Sequence, residues 1–186
     1  MNIIVKTSSG HCLVRPDTTW ERDNENLYLP EFSSRTGFTP VIYSKICKSG
    51  RSVGKKFAAR YYDDSGFGVL LYPEELIDGS PEGFAQASCT DHTSFMTLPA
   101  SGSVPFEGGS RFTLEVAGTE TFSCSGIDRS VIEDAICEAS KYIYLRTGDI
   151  IAVELAPRMT VTIEEGKIRF LGRLNENIVT DFEIIK

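Results

Sequence analysis

Only one stretch of this 186-residue chain repeats its apolar residues at helical spacing over several turns. Val131, Ile132, Ala135, Ile136, Ala139 and Ile143 form a single stripe, and Asp128 stands where a capping residue belongs. The spacing predicts a helix from Asp128 to about Tyr144. Every other apolar run is strand-length. Ile3-Ile4-Val5, residues 12–15 and Leu27-Tyr28-Leu29 read as short strands. Phe38 to Cys47 is β-rich, and Phe67 to Tyr72 is nearly all apolar, the pattern of a strand buried on both faces. Arg111–Ala117, Ile150–Leu155 and Ile178–Ile185 complete the set, with Phe182 and Ile184 alternating against polar neighbours. Turn chemistry at 117–120 predicts one hairpin. Glu164-Glu165-Gly166-Lys167 predicts a second, joining Val161–Ile163 to Ile168–Leu171. Lys55–Tyr62 reads as a short helix, Pro73–Leu76 as a helical first turn, and the Gly/Ser/Thr-rich residues 78–94 as loop. Many strands and one long helix make a β-rich α+β domain over residues 1–186: a mixed, rolled or barrel-like sheet with a helix packed on it.

Charge narrows the partners. Nineteen basic against 26 acidic residues leave a net charge of −7 with no basic cluster, which argues against nucleic acid. No run approaches a membrane span, and Met1–Lys6 does not resemble a signal peptide, so a cytoplasmic protein is expected. The cysteines Cys12, Cys47, Cys89, Cys124 and Cys137 are odd in number and lack a C-x-x-C pair. They are expected to be reduced, mostly buried thiols. Of the two histidines, His11 and His92, only His92 lies near a cysteine, Cys89, and that gap is not diagnostic of a nucleophile and its base.

Three segments together resemble the fumarylacetoacetate hydrolase (FAH)-like family. Gly50-Arg51-Ser52-Val53-Gly54 through Tyr61-Tyr62-Asp63, followed by Gly68-Val69, is similar to the family's "G-x-x-I, short helix, buried strand" segment. Ile143-Tyr144-Leu145-Arg146-Thr147-Gly148-Asp149-Ile150-Ile151 looks like its "T-L-x-x-G-D-x-I" segment. Leu13-Val14-Arg15-Pro16-Asp17-Thr18-Thr19 with Leu29-Pro30-Glu31-Phe32 is similar to "F-x-K-P-x-S-S" and "I-P-x-F". The resemblance implies a homodimer, and a Mg²⁺ or Mn²⁺ site made of a Glu-x-Glu pair on one strand and an Asp on the next. It also implies hydrolysis, decarboxylation or tautomerisation of small oxo acids.

The departures carry the functional expectation. The ungapped run places Thr39-Pro40-Val41 at Glu-x-Glu and Leu70 at the Asp. Hydrocarbon does not ligate a hard cation, so no metal cofactor is expected. The family's N-terminal His region is nearly absent. Its T-G-T-P turn has become Ala152-Val153-Glu154-Leu155-Ala156-Pro157, and Gly83-Phe84-Ala85-Gln86 is the nearest text to its Lys-Gly-Phe-Asp. The expected function is a catalytically degenerate binding or assembly scaffold. The alternatives are an oxo-acid enzyme of changed or metal-dependent mechanism and a non-catalytic subunit beside an active paralogue. Arg15 matches the family's anion-holding Lys and would grip a small carboxylate bidentately, although a plain surface arginine is the simpler expectation. Tyr43 and Tyr72 neighbour the lost ligand positions and would fill them with aromatic bulk. Asp63-Asp64, Glu74-Glu75 and Glu164-Glu165 read as solvated charge, and Lys45 and Arg60 as solvated or structural.

Overall fold

The computed structural model describes all residues except 99, 101 and 103. The chain opens with β1 (Asn2–Lys6), β2 (Cys12–Pro16), β3 (Trp20–Glu21), β4 (Leu27–Tyr28) and β5 (Arg35–Ile46). Next come α1 (Lys55–Ala58), β6 (Tyr62–Pro73), α2 (Pro81–Ala87) and β7 (Ser94–Phe95). The hairpin β8 (Arg111–Val116) and β9 (Thr119–Ser125) precedes α3 (Ser130–Tyr142). Four strands end the chain: β10 (Ile150–Glu154), β11 (Met159–Thr162), β12 (Lys167–Leu174) and β13 (Asn177–Ile185).

These strands form two sheets. The first runs β2-β1-β10-β5-β6-β7-β3, with β11 beside the start of β5; the second runs β4-β13-β12-β8-β9. Period two sorts the side chains of the first sheet into two cores. Phe38, Ile42 and Ile46 of β5, with Phe67, Val69 and Leu71 of β6, face the second sheet and α3. Phe67 stacks on Phe112 across that interface at 4.4 Å between ring centroids. Val41 and Tyr43, with Leu70, Tyr72, Ile3, Val5, Ile150 and Ala152, form a separate core on the opposite face. A sheet covered on both sides explains the near-continuous apolar text of β5 and β6.

The predicted long helix is α3, which buries Ile132, Ala135, Ile136 and Ala139. Asp128 sits one residue before the first cap position and accepts from the Ser130 amide at 2.8 Å. The first hairpin forms as expected, with Ala117 and Gly118 both at positive φ.

Several expectations need correction. The second hairpin does not exist: β11 pairs with β5 in the first sheet, while β12 pairs with β13 and β8 in the second. Glu164–Gly166 is a crossing between sheets, and the buried Ile163 anchors its near end. Residues 78–94 are not all loop. Ser80 Oγ accepts from Gly83 N at 3.0 Å and Pro81 starts α2. Gly83 obscures that helix in the sequence, but it is required there: a Cβ would lie 2.4 Å from Asp78 Oδ1 and 2.5 Å from the Leu76 carbonyl. The predicted Lys55–Tyr62 helix ends at Ala58, because Tyr62 already belongs to the sheet. Finally, the cysteines are free but none is fully buried; Cys47 and Cys89 are exposed.

Glu74-Glu75 is not solvated charge either. Glu75 Oε1 accepts from the amides of Ser34 and Arg35, each at 2.9 Å, and Oε2 from Ser33 Oγ at 3.0 Å. Burial alone would raise this carboxyl. The surrounding N–H and O–H donors outweigh burial and hold its pKa at about 2. A pKa lower in the folded than in the unfolded chain adds stability that is complete above the unfolded value and disappears as pH falls toward the folded one. The gain is about 3 kcal/mol. Chemical denaturation should therefore show Glu75→Gln less stable than the native chain by about 2–3 kcal/mol at pH 7, with the gap closing between pH 5 and pH 2.

Candidate functional site

The face of the first sheet that carries Thr39, Val41 and Leu70 gathers the most unusual polar chemistry in the molecule. Register places Thr39 opposite Leu70 and Val41 opposite Gly68. All three named side chains are completely buried. Leu70 and Val41 pack with Met96 and Ala87 in the second core. Gly66 and Gly68 let other groups settle onto the sheet. A Cβ on Gly68 would lie 2.3 Å from the Phe95 carbonyl and 2.9 Å from Met96 Cγ. A Cβ on Gly66 would lie 2.7 Å from Tyr43 Oη. Met96 thus packs over Gly68 and the Tyr43 hydroxyl over Gly66, and Tyr43 Oη donates to the Thr97 carbonyl. Burial pushes the Tyr43 phenol well above its ordinary value, so it stays a neutral donor.

Arg15 stands beside this core on β2. It is completely buried, which overturns the surface reading. Nε donates to the Ser88 carbonyl at 2.8 Å; Nη2 donates to the Leu71 carbonyl at 2.9 Å and to Thr93 Oγ1 at 2.6 Å. Among the described residues Nη1 has no hydrogen-bond partner. The guanidinium carbon lies 4.9 Å from the centre of the Tyr72 ring, an attraction between cation and ring face that desolvation strengthens. Burial draws the Arg15 pKa downward, and nearby Tyr72, Cys89 and Glu154 oppose it.

Tyr72 links the cation to an anion. Its Oη donates to Glu154 Oε1 at 2.9 Å, and Thr39 Oγ1 donates to the same oxygen at 3.4 Å. Glu154 Oε2 accepts from the Ser8 amide at 2.8 Å, so the β1–β2 turn closes over it. That turn also holds His11, which is exposed and reaches Ser9 rather than the carboxylate. Burial raises the Tyr72 pKa far above its ordinary value. On the outer side Phe84 of α2 stacks on Tyr72, with centroids 5.6 Å apart. Arg158 flanks both rings and pairs with Glu74 at 2.6 Å. Arg15, Tyr72 and Glu154 thus form a neutral, internally satisfied chain except at Nη1. It can hold its own charges, and a small anion could meet the remaining N–H.

Of the sequence candidates, Arg15, Tyr72 and Thr39 meet in one cluster. Val41 and Leu70 adjoin it as hydrocarbon, and Tyr43 lies further along β5, tied to Thr97. The sequence reading missed Glu154 as a member, although its parity with Ile150 and Ala152 on β10 places it on this face. It also missed Glu21, which pairs with His92 at 3.1 Å, so His92 is engaged by a carboxylate and not by Cys89.

No family model and no curated protein matches this sequence. Solved structures do match in fold. A protein from Yersinia pestis CO92 assigned to the fumarylacetoacetate hydrolase family superposes with a TM-score of 0.78 at 18% identity, over 99% of this chain and 92% of its own. Fumarylpyruvate hydrolase from Pseudomonas aeruginosa, solved with Mn²⁺ and pyruvate, gives 0.78 at 13% identity, over 100% and 88%. Maleylpyruvate hydrolase from Sphingobium sp. SYK-6 gives 0.74 at 15% identity, over 99% and 70%. The chain has the FAH-like fold that its sequence segments resemble. Among the described residues, no helix is long and apolar enough to cross a membrane.

Proposed function

We propose that this protein is a catalytically silent binding protein on an FAH-like scaffold. The single observation that carries the proposal is the surroundings of Leu70. Its side chain is completely buried among apolar neighbours at the position where the family resemblance would put a metal-binding carboxylate. The residues at that place do not suit a divalent cation. Val41 and Leu70 have no donor atom, Thr39 has one neutral hydroxyl, and Glu154 is engaged by Tyr72, Thr39 and the Ser8 amide. The family's chemistry, which stabilises negative charge on such a cation, has no foothold in that set. The proposal includes a cytoplasmic homodimer, supported by the free thiols and by Tyr142 and Tyr144, which expose 70% and 56% of their surface at the end of α3.

The reading is tested by incubating the protein with acylpyruvates and related oxo acids in the presence of Mg²⁺ or Mn²⁺. No turnover above the protein-free rate is expected. Turnover abolished by a chelator would overturn it and favour the metal-dependent enzyme.

A second reading, a small carboxylate held at Arg15, is favoured by the unpartnered Nη1. A native partner carrying an intact Glu-x-Glu strand, recovered with this chain, would favour the subunit reading instead.

A further inference from the structure

The two sheets leave a cleft of about 510 Å³ near β3, the edge strand of one, and β4, the edge strand of the other. That volume is typical of small-molecule sites. The cleft opens on the Leu71 face of the first sheet rather than on the Thr39–Leu70 face, and its wall residues Leu71 and Thr93 are also the acceptors of Arg15. Leu27, Leu29, Leu71 and the Tyr28 ring give it an apolar wall, and Tyr28 is 71% exposed.

Its charged side chains are carboxylates, with His92 beside one of them. Glu21, Glu25 and Asp91 line it, and among the described residues no lysine or arginine does; the one cation behind its wall, Arg15, is engaged by the Leu71 carbonyl and Thr93 Oγ1. Lys186, which reaches the neighbouring loop, is occupied by the carbonyls of Pro30, Glu31 and Ser33. Glu21 is almost completely buried. Its Oε1 accepts from the amides of Asp23 and Glu25, while Oε2 faces only His92 Nδ1. Burial would raise this carboxyl, but the Asp23 amide, His92 and the Glu25 amide together hold it below the usual range, so it is an anion at neutral pH.

A second observation points to a ligand independently of the acids. Thr36 lines the cleft, is 2% exposed, and its Oγ1 has no hydrogen-bond partner among the described residues. A buried hydroxyl left unpaired costs free energy that a ligand's polar atom would recover. The carboxylates do not converge as metal ligands do: among the described residues, no group of three or more acidic, His or Cys side chains is arranged to hold an ion. The site therefore suits a cation whose charge sits at one end of a longer molecule.

We propose that this cleft binds a small organic cation, a primary amine or guanidine with an apolar body. Its charged end faces Glu25, Asp91 and Glu21, its body lies against Leu27, Leu29 and Leu71, and Thr36 Oγ1 meets a polar atom of the ligand. Anionic oxo acids are repelled by the same three carboxylates, and the net charge of −7 favours approach of a cation.

The test is calorimetric titration of the native chain with phenethylamine, tryptamine and agmatine, beside 3-phenylpropionate as the anion of matching shape. At least one amine is expected to bind, with 3-phenylpropionate weaker by about tenfold or more. The double variant Glu25→Gln/Asp91→Asn alters only exposed positions. It should keep the native Tm and lose about tenfold in amine affinity. Thr36→Val, which removes the orphaned hydroxyl at nearly constant volume, should fold and bind more weakly. Failure of all three amines, equal binding of the anion, or unchanged affinity in the double variant would overturn the proposal. None of these results bears on the metal and turnover measurements, which concern the opposite face of the sheet.

Discussion

Replacing Arg15 with alanine should cost roughly 3–5 kcal/mol of unfolding free energy, among the largest effects of any single truncation in this chain. The change leaves a cavity under Tyr72 and strands three acceptors, the Ser88 and Leu71 carbonyls and Thr93 Oγ1. It also removes the cation that balances Glu154. For a domain of this size the loss corresponds to a fall in Tm on the order of 10 °C. Arg15→Met is the informative companion. It restores most of the volume without the desolvation cost of a buried guanidinium, and replacing buried charge with packed hydrocarbon often costs little. Urea denaturation should rank the chains native, Met variant, Ala variant. A loss below about 1 kcal/mol in the alanine variant would mean that the guanidinium is hydrated rather than buried.

Leu70→Asp should be as damaging, for the opposite reason. It restores the residue type that the family resemblance expects, but into a fully buried apolar setting between Val41 and Tyr72. An unpaired buried carboxylate costs roughly 4 kcal/mol or more, or is forced to stay protonated. A latent cation site would be recognisable, because a metal at 100 times its Kd would return about 2.7 kcal/mol. The expected outcome is destabilisation that saturating Mn²⁺ does not reverse. Recovery of Tm on adding Mn²⁺ would show that the neighbouring oxygens still form a usable cage.

Local pattern made most of the strands and the long helix legible. Period two along β5, β6 and β10 assigns each side chain to a face, and the 128–144 stripe marks α3. What failed was non-local. Glu164-Glu165-Gly166-Lys167 has ordinary turn chemistry, yet nothing local says that its two flanks belong to different sheets. Gly83 weakens the helical signal of α2 because its reason, the close approach of Asp78 and the Leu76 carbonyl, lies outside the helix. Arg15 reads as an ordinary surface residue because the groups that hold it are 56 to 78 positions away in the chain. Glu154 was reachable from parity on β10. Its partnership with Tyr72 and the Ser8 amide was not, since those contacts span 82 and 146 positions.

The proposed reading keeps the FAH-like fold and gives up the metal chemistry that the resemblance implies. The register sets Thr39 beside Leu70, and the side chains gathered there are hydrocarbon and one hydroxyl, with Met96 packed over Gly68. The most direct test is titration of the native protein with Mn²⁺ and then Mg²⁺ by calorimetry at neutral pH. The account predicts no saturable one-to-one binding of either ion up to about millimolar concentration. A stoichiometric site in the micromolar range that is lost in Glu154→Gln would place a cation on this face and contradict it.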